Sequence, residues 1–510
     1  MWSAQFVSNI GNWMETVGAQ WLMLSFTTSA LYISLVQTAA SLPIVLFAIL
    51  AGTIGDLVDR RRFLIAAQSM MLLAAAALGV LAIAGALAPW SLLALLFVVG
   101  TGQALTAPTW QTLQPELVAE GERTQAISLG SVNQNLARAV GPAIGGALLA
   151  ATSAGVLFLC NAASFAAVIV VIAMWHSTRP PARLPREHVG AAIRAGGRYV
   201  MASPSLIAIL VRAAIFVFFA SSLWALLPLV AHSRLHLGSG GYGLLLGCVG
   251  AGAVAGAFVL PRLRVRFGPG ALLSLASVVL AGVALCLAYV PVPILVGVVL
   301  VVAGSAWILA LSTLNSVYQL SLPRWVKARG MAFYLMVYQG GNAVGSAVLG
   351  VIANQVGVAT TLAIAAAGLV LGILAALRFR FVTVAPEDLR PAGDWPAPHL
   401  FDDLDPDGPV LVTVAYQARS GCVPDLVRAL RRLRYGRRRT GATSWRVWQD
   451  GSDPNRVLEE FVVASWDEHQ RQHERLTTRD ERRISALRDY TVSGAEPAVT
   501  HWITPQIRVE

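Results

Sequence analysis

Apolar runs of about twenty residues, broken by short polar or Gly/Pro punctuation, fill the first three quarters of the chain. A hydrocarbon layer about 30 Å thick needs about 20 residues of helix to cross it. Twelve such segments are predicted, at 2–26, 33–54, 63–86, 90–113, 125–150, 154–175, 204–231, 241–261, 270–289, 292–316, 329–354 and 357–379. The connections are a few residues each, so this part is a helical bundle with little room for an extramembrane catalytic domain. Trp2 already lies in the first span and no basic stretch precedes it. No cleavable signal peptide is read there, and a start further upstream or a missing cytoplasmic arm is expected. Beyond residue 408 the period changes to strand 410–416, helix 423–438, strands 443–449 and 457–464, helix 465–488 and a last strand near 499–503. That order is β-α-β-β-α-β.

Composition confirms two materials in one chain. The 510 residues are 56% hydrophobic and 13% charged with mean hydropathy +0.64, whereas soluble proteins carry roughly a quarter charged residues. Residues 1–385 hold 20 Lys and Arg against 7 Asp and Glu, while residues 386–510 hold 18 against 20. In the first part, 17 of the 20 basic residues fall in alternate connections: Arg60 to Arg62, Arg123, Arg179 to Arg198, Arg262 to Arg266, Arg324 to Arg329, and Arg378 with Arg380. The positive-inside rule then puts both ends of the bundle in the cytoplasm. Division among six loops excludes a nucleic-acid stripe. Cys160, Cys248, Cys286 and Cys422 have neither disulfide nor zinc spacing, and no cofactor is expected. His232 and His236 lie one turn apart beside an outer loop with no third ligand, so no metal is read there.

Sliding the chain against itself by 204 residues brings Gly52 onto Gly256, Arg60 onto Arg264, Phe63 onto Phe267, Pro89 onto Pro293, Gly100 onto Gly304, Gly141 onto Gly345 and Gly146 onto Gly350. Two six-span halves follow, as parallel repeats in transporters predict. The expected organisation is a first half at 1–175, a cytoplasmic linker at 176–203, a second half at 204–381, a Pro/Asp-rich linker at 382–408 and a cytoplasmic domain at 409–510.

The segment Gly52-Thr-Ile-Gly-Asp56-Leu-Val-Asp59-Arg60-Arg61-Arg62 resembles the cytoplasmic signature of the major facilitator superfamily, with Leu57 and Asp59 departing from its usual basic and glycine positions. Arg138-Ala-Val-Gly141-Pro142-Ala-Ile-Gly145-Gly146 is similar to the motif of its antiporter-type exporters. With Ala107-Pro108 to Pro115-Glu116 and the Asn133/Asn135/Arg138 run, the whole chain resembles the transmembrane secretion effector group, which includes enterobactin-type siderophore exporters. The resemblance implies a twelve-helix all-α membrane fold with a ferredoxin-like α+β tail, in a bacterial cytoplasmic membrane. The fourth span lacks the arginine that many drug–proton antiporters of the superfamily carry.

Gly52, Asp56, Arg60 and Arg61 are expected to gate, since Asp56 can cap a helix or pair across the bundle in one conformation only. Gly141, Pro142, Gly145 and Gly146 suit close helix packing or a hinge. Ionisable groups inside a span are costly and usually functional. Glu15 and Arg138 sit at similar depth and are expected to pair, with Glu15 taking a proton or a cationic substrate group when released. Arg212, a third of the way along span 7, either meets an anionic substrate or reaches the cytoplasmic headgroups. Asn12 and Asn135 join this set, among other polar and aromatic positions such as Asn9, Trp13, Gln20, Gln103, Asn133, Trp224 and Asn342.

The tail resembles the ferredoxin-like domain of antibiotic-biosynthesis monooxygenases, which implies self-association through exposed strands. His469 and His473 are read as part of a solvated helix face. The basic helix from Arg428 to Arg439 either contacts the anionic inner leaflet or faces solvent. The combined reading is a secondary-active exporter of small amphipathic molecules, siderophore-like or drug-like, proton-coupled and working by alternating access. The alternative is a membrane-tethered enzyme or sensor acting through the tail.

Overall fold

The computed structural model describes the chain except residues 1, 58, 114–121, 175–188, 382–385, 393–407, 495 and 504–510; within its elements, the side chains at 48–57, 108, 111–113, 123–128, 131, 135, 139, 189–193, 324, 328 and 386 are also left out. The helices of the first half are α1 (Trp2–Phe26), α2 (Ala30–Leu57), α3 (Arg60–Ile83), α4 (Pro89–Leu113), α5 (Arg123–Ala151) and α6 (Ala154–Met174). A short amphipathic helix, α7 (Val189–Met201), follows. Then come α8 (Pro204–Leu229), α9 (Ser239–Arg266), α10 (Pro269–Tyr289), α11 (Pro293–Leu320), α12 (Lys327–Val356) and α13 (Val358–Arg378). Proline opens α4, α8, α10 and α11, where its missing N–H leaves no helix bond unmade. Asp59 caps α3 by accepting from the Arg62 amide at 3.1 Å, which gives that off-pattern acid a local purpose.

Among the described residues, ten of these helices are apolar and long enough to cross a membrane, and α1 and α5 are not among the ten. Those two carry Asn9, Asn12, Glu15 and Gln20, and Asn133, Asn135 and Arg138. Polar groups of the first half concentrate on these two helices. Glycine sets the closest approaches. A Cβ at Gly100 would meet the Ala40 carbonyl at 2.8 Å, and one at its repeat partner Gly304 would meet the Val249 carbonyl at 1.9 Å. The same position thus draws α4 onto α2 and α11 onto α9.

The tail consists of β1 (Val410–Gln417), α14 (Val423–Thr440), β2 (Ser444–Gln449), β3 (Arg456–Val463), α15 (Trp466–Glu474), α16 (Thr478–Ser485) and β4 (Ala498–Ile503). Its antiparallel sheet has the order β2-β3-β1-β4, with Val412 opposite both Phe461 and His501. Val410, Val412, Val414 and Tyr416 alternate inward against Leu426, Leu430, Leu433 and Trp466. The single helix expected over 465–488 is two helices. Thr477 starts the second with a capping box to Asp480, which satisfies the amides that a break at Arg475 and Leu476 exposes.

The described residues divide into two compact units. One comprises Met1–Pro185, Ile209–Ser316 and Tyr334–Phe381; the other comprises Arg186–Ala208, Val317–Phe333 and Val382–Glu510. In the second unit the tail packs on α7 and on the turn at Arg324–Val326. Arg198 pairs with Glu468 at 2.7 Å, Glu468 also takes Arg475 at 2.7 and 3.1 Å, and Arg475 lies over the Trp325 ring at 4.7 Å. Tyr199 meets Trp325 edge-on at 5.4 Å.

Candidate functional site

One polar cluster lies where α1, α4 and α6 meet. Helical spacing places Asn12 and Glu15 on the α6 side of α1, and Asn161 reaches both. Its amide donates to Glu15 Oε2 at 2.5 Å and to Asn12 Oδ1 at 3.4 Å, while Gln103 donates to the same Asn12 oxygen at 3.3 Å. Ser164 donates to Asn161 Oδ1 at 3.1 Å and so orients the amide. The approach depends on Gly11, where a Cβ would stand 2.3 Å from Asn161 Oδ1. Glu15 is 5% exposed, and its partner is neutral.

The expected Glu15–Arg138 pair is not formed. Arg138, on α5, lies over the Trp13 ring at 5.8 Å, and its Nε atom is buried without a hydrogen-bond partner. The rotation of α5 accounts for this: Gly141 and Gly145 face α1, where a Cβ would meet Trp13 Cβ at 2.7 Å and Met14 Cα at 2.9 Å. Arg138, one turn from Gly141, is thereby directed at Trp13, while Glu15 faces α6. From Trp13 an aromatic row continues into the second half, to Trp224 at 6.1 Å, Trp307 at 5.5 Å and Phe216 at 6.2 Å. The Trp224 Nε1 is also buried without a partner.

Arg212 joins neither group. Its guanidinium stacks on Phe381 at 4.0 Å and donates to the Gly270 carbonyl at 3.4 Å. The Asn135, Gly52 and Asp56 side chains lie outside the described residues. Arg61 donates to the Ala173 carbonyl of α6, and Arg60 opens α3. Pro142 lies within α5.

The two halves touch along two seams. Where α2 meets α12, Ser29, just before α2, donates to Asn354 at 3.0 Å, Thr38 to the Ala343 carbonyl at 2.9 Å, and Asn342 to Ser41 at 3.1 Å. On α5 and α9, Gly146 and Gly243 abut so closely that a Cβ on either would stand 2.3 Å from the other's Cα. Among the described residues these contacts gather toward the end of the bundle that carries the α1–α2 and α5–α6 connections.

The tail holds a second buried cluster. Glu459, wholly enclosed, accepts from Arg437 twice at 3.1 Å, from Trp445 at 2.9 Å and from the Tyr416 hydroxyl at 3.1 Å. Burial alone would raise its carboxyl; the Arg437 charge and these bonds outweigh that and hold it below the ordinary range. His469 is 2% exposed, which corrects the solvated-face reading. Its Nε2 lies 2.9 Å from His501 and 3.3 Å from His473, and its Nδ1 meets Gln472 Oε1 at 3.2 Å. Burial and the neighbouring imidazoles hold His469 at about 3, and burial with Arg437 holds His473 at about 4. Trp466, His469, Gln472 and His473 share one face of α15, a spacing that signals an inward stripe. Among the described residues no group of His, Cys, Asp or Glu is arranged to hold a metal. Arg437 and Arg439 turn inward to Glu459 and Asp480, whereas Arg428, Arg431, Arg432 and Arg434 are exposed.

Asn161, Trp307, Phe216 and Tyr242 were missed by sequence reasoning. Asn161 and Trp307 had a signal, a lone amide and a lone indole inside apolar runs.

The profile described as transmembrane secretion effector matches residues 1–509. The staphyloferrin A transporter of Staphylococcus aureus is 31% identical over 175 residues, 34% of this chain and 44% of that protein. The multidrug efflux pump Tap of Mycolicibacterium fortuitum is 28% identical over 212 residues, 40% of this chain and 52% of that protein. The chain thus spans about half the length of these two relatives. The enterobactin exporter EntS of Citrobacter koseri is 25% identical over 360 residues, 68% of this chain and 83% of that protein. Among solved structures, a bacterial homolog of the human lysosomal transporter Spinster, inward-facing and unoccupied, superposes with TM-score 0.59 at 16% identity, covering 74% of this chain and 96% of that one. The nucleoside transporter NupG gives TM-score 0.54 at 15% identity, covering 74% and 97%. At these identities the structural likeness establishes the fold.

Proposed function

Because this chain belongs to the transmembrane secretion effector family, we propose that it is a secondary-active exporter of small amphipathic molecules, siderophore-like or drug-like, from a bacterial cytoplasm. The observation that carries this reading is the seam that joins the halves at the α1–α2 end, with polar and aromatic groups of both halves beside it. Basic loops assign the seam to the outside, so the captured arrangement is closed outward, one of the two states that alternating access needs. The staphyloferrin A, enterobactin and multidrug relatives support the substrate class.

Glu15 is the coupling group in this reading. It is an enclosed carboxyl whose partner is an uncharged amide, so taking up or losing a proton leaves no stranded counter-charge. Arg138 and the row from Trp13 to Trp307 offer a cation and flat π surfaces to an aromatic or anionic substrate. Arg212, stacked on Phe381 and bonded to the Gly270 carbonyl, is a structural residue. In the tail, the sheet face opposite α14 bears Trp448 and Trp502, half exposed, and serves self-association.

The test is a deletion strain, with accumulated compounds identified by mass spectrometry and then added to acidified everted vesicles containing the protein. Collapse of the pH gradient on addition supports proton-coupled export. Uptake without proton movement removes the coupling, and no accumulation or uptake removes the exporter.

A further inference from the structure

Helix α8 contains Pro228, one residue before its end at Leu229. A proline has no N–H, so the donor that a regular helix aims at the carbonyl four residues back is missing. That carbonyl belongs to Trp224. Inside a bilayer a backbone acceptor must find a partner within the protein, and Gln20 of α1, in the other half, donates its amide to the Trp224 oxygen at 3.1 Å. The other end of the same side chain accepts from the Tyr242 hydroxyl of α9. Gln20 is 2% exposed and Tyr242 is fully enclosed. Trp21 stacks on Tyr242 at 5.8 Å, and His232, in a π-helical turn at Val230–Arg234, meets Trp21 edge-on at 6.0 Å. Gln20 and Trp224 are also 204 residues apart, the offset of the repeat, so the bond joins equivalent positions of the two halves.

We propose that Gln20 is a positioning residue that latches the outer gate, bridging the Trp224 carbonyl and the Tyr242 hydroxyl while the halves are closed on that side. The proposal rests on the alternating-access reading above. When the seam opens, water replaces each partner, and neutral hydrogen bonds exchanged for water bonds differ little in free energy. The latch is therefore reversible. Trp224 links it to the candidate substrate region: its carbonyl is held by Gln20 while its ring stands between Trp13 and Trp307. A molecule pressing on the ring displaces the carbonyl that the latch holds.

The test uses the full chain in intact cells, with the four cysteines replaced by serine and one introduced by Ser34→Cys at the α2–α12 seam. Reaction with a membrane-impermeant maleimide reports outward opening without any substrate. Gln20→Leu is expected to speed labelling at least fivefold. Tyr242→Phe, which keeps the ring and removes one bond, is expected to speed it about twofold. Pro228→Ala gives the Trp224 carbonyl a helix donor of its own and is expected to speed labelling as well, and the Gln20→Leu/Pro228→Ala double variant to label no faster than Gln20→Leu alone. Parent-like labelling in monodisperse Gln20→Leu protein, or additive effects in the double variant, would overturn the latch. Faster labelling together with no compound accumulated in the deletion strain or taken up by everted vesicles would leave the latch standing and remove the exporter reading instead.

Discussion

Two of the buried glutamates, Glu459 and Glu15, are held in opposite ways. Glu459 in the tail takes a guanidinium, an indole and a phenol, whereas Glu15 in the bundle takes one carboxamide. A carboxylate enclosed with a matched cation is a fixed ion, and removing either partner strands the other. A carboxyl enclosed with a neutral amide has no charge committed to it. The tail thus uses buried charge to specify packing, while the bundle keeps Glu15 available.

The largest effect that separates the two is loss of the Glu459 pair. Glu459→Gln is expected to destabilise the tail by about 3 kcal/mol or more, because Arg437 is left enclosed without its counter-ion; faster hydrogen exchange in β1 to β4 of the full-length protein measures it. Glu15→Gln, in contrast, is expected to change stability by less than about 1 kcal/mol, since a glutamine oxygen still accepts from Asn161. Equal destabilisation by the two substitutions would erase the distinction.

Acid acts on the tail next. His469 at about 3 and His473 at about 4 lie below the ordinary imidazole value of 6.5. The unfolded chain therefore binds protons first, so this stability is complete above about pH 6.5 and is lost as pH falls toward the folded values. For His469 alone the loss from pH 7 to pH 5 is about 2 kcal/mol. Glu459, held low, contributes a separate loss at still lower pH. Exchange protection of the sheet amides at the two pH values measures the first window, and His469→Gln is expected to shrink the loss to the share that His473 contributes.

Gly11→Ala sharpens the comparison within the bundle. Its methyl would crowd Asn161 Oδ1, and such overpacking costs about 1–3 kcal/mol; a lower melting temperature and a weakened Glu15 function are expected together. The smallest effect is Arg198→Ala. Glu468 keeps its two bonds to Arg475, so the change is expected to be about 1 kcal/mol or less, read as faster exchange confined to α7.

The spans were legible because a bilayer imposes one length and one polarity on every crossing, and the tail because strand and helix periods differ. The depth of Glu15 was legible for the same reason. Its partner was not: Asn161 is 146 residues away, and no local pattern states which way α1 and α6 face each other. Arg138 was at the right depth but at the wrong rotation, since Gly141 and Gly145 turn it toward Trp13. His469 looked solvated because charged residues surround it in sequence, although Trp466 and Gln472 share its face. The Gln20 latch needed both halves in place, even though its two ends sit one repeat apart.

Proton movement in acidified everted vesicles tests the central claim most directly, with the compound that accumulates in the deletion strain added to parent and Glu15→Gln protein at matched levels. The account predicts that the parent collapses the pH gradient and that Glu15→Gln reduces the initial rate at least tenfold while remaining folded. Parent-like collapse by folded Glu15→Gln protein would contradict it.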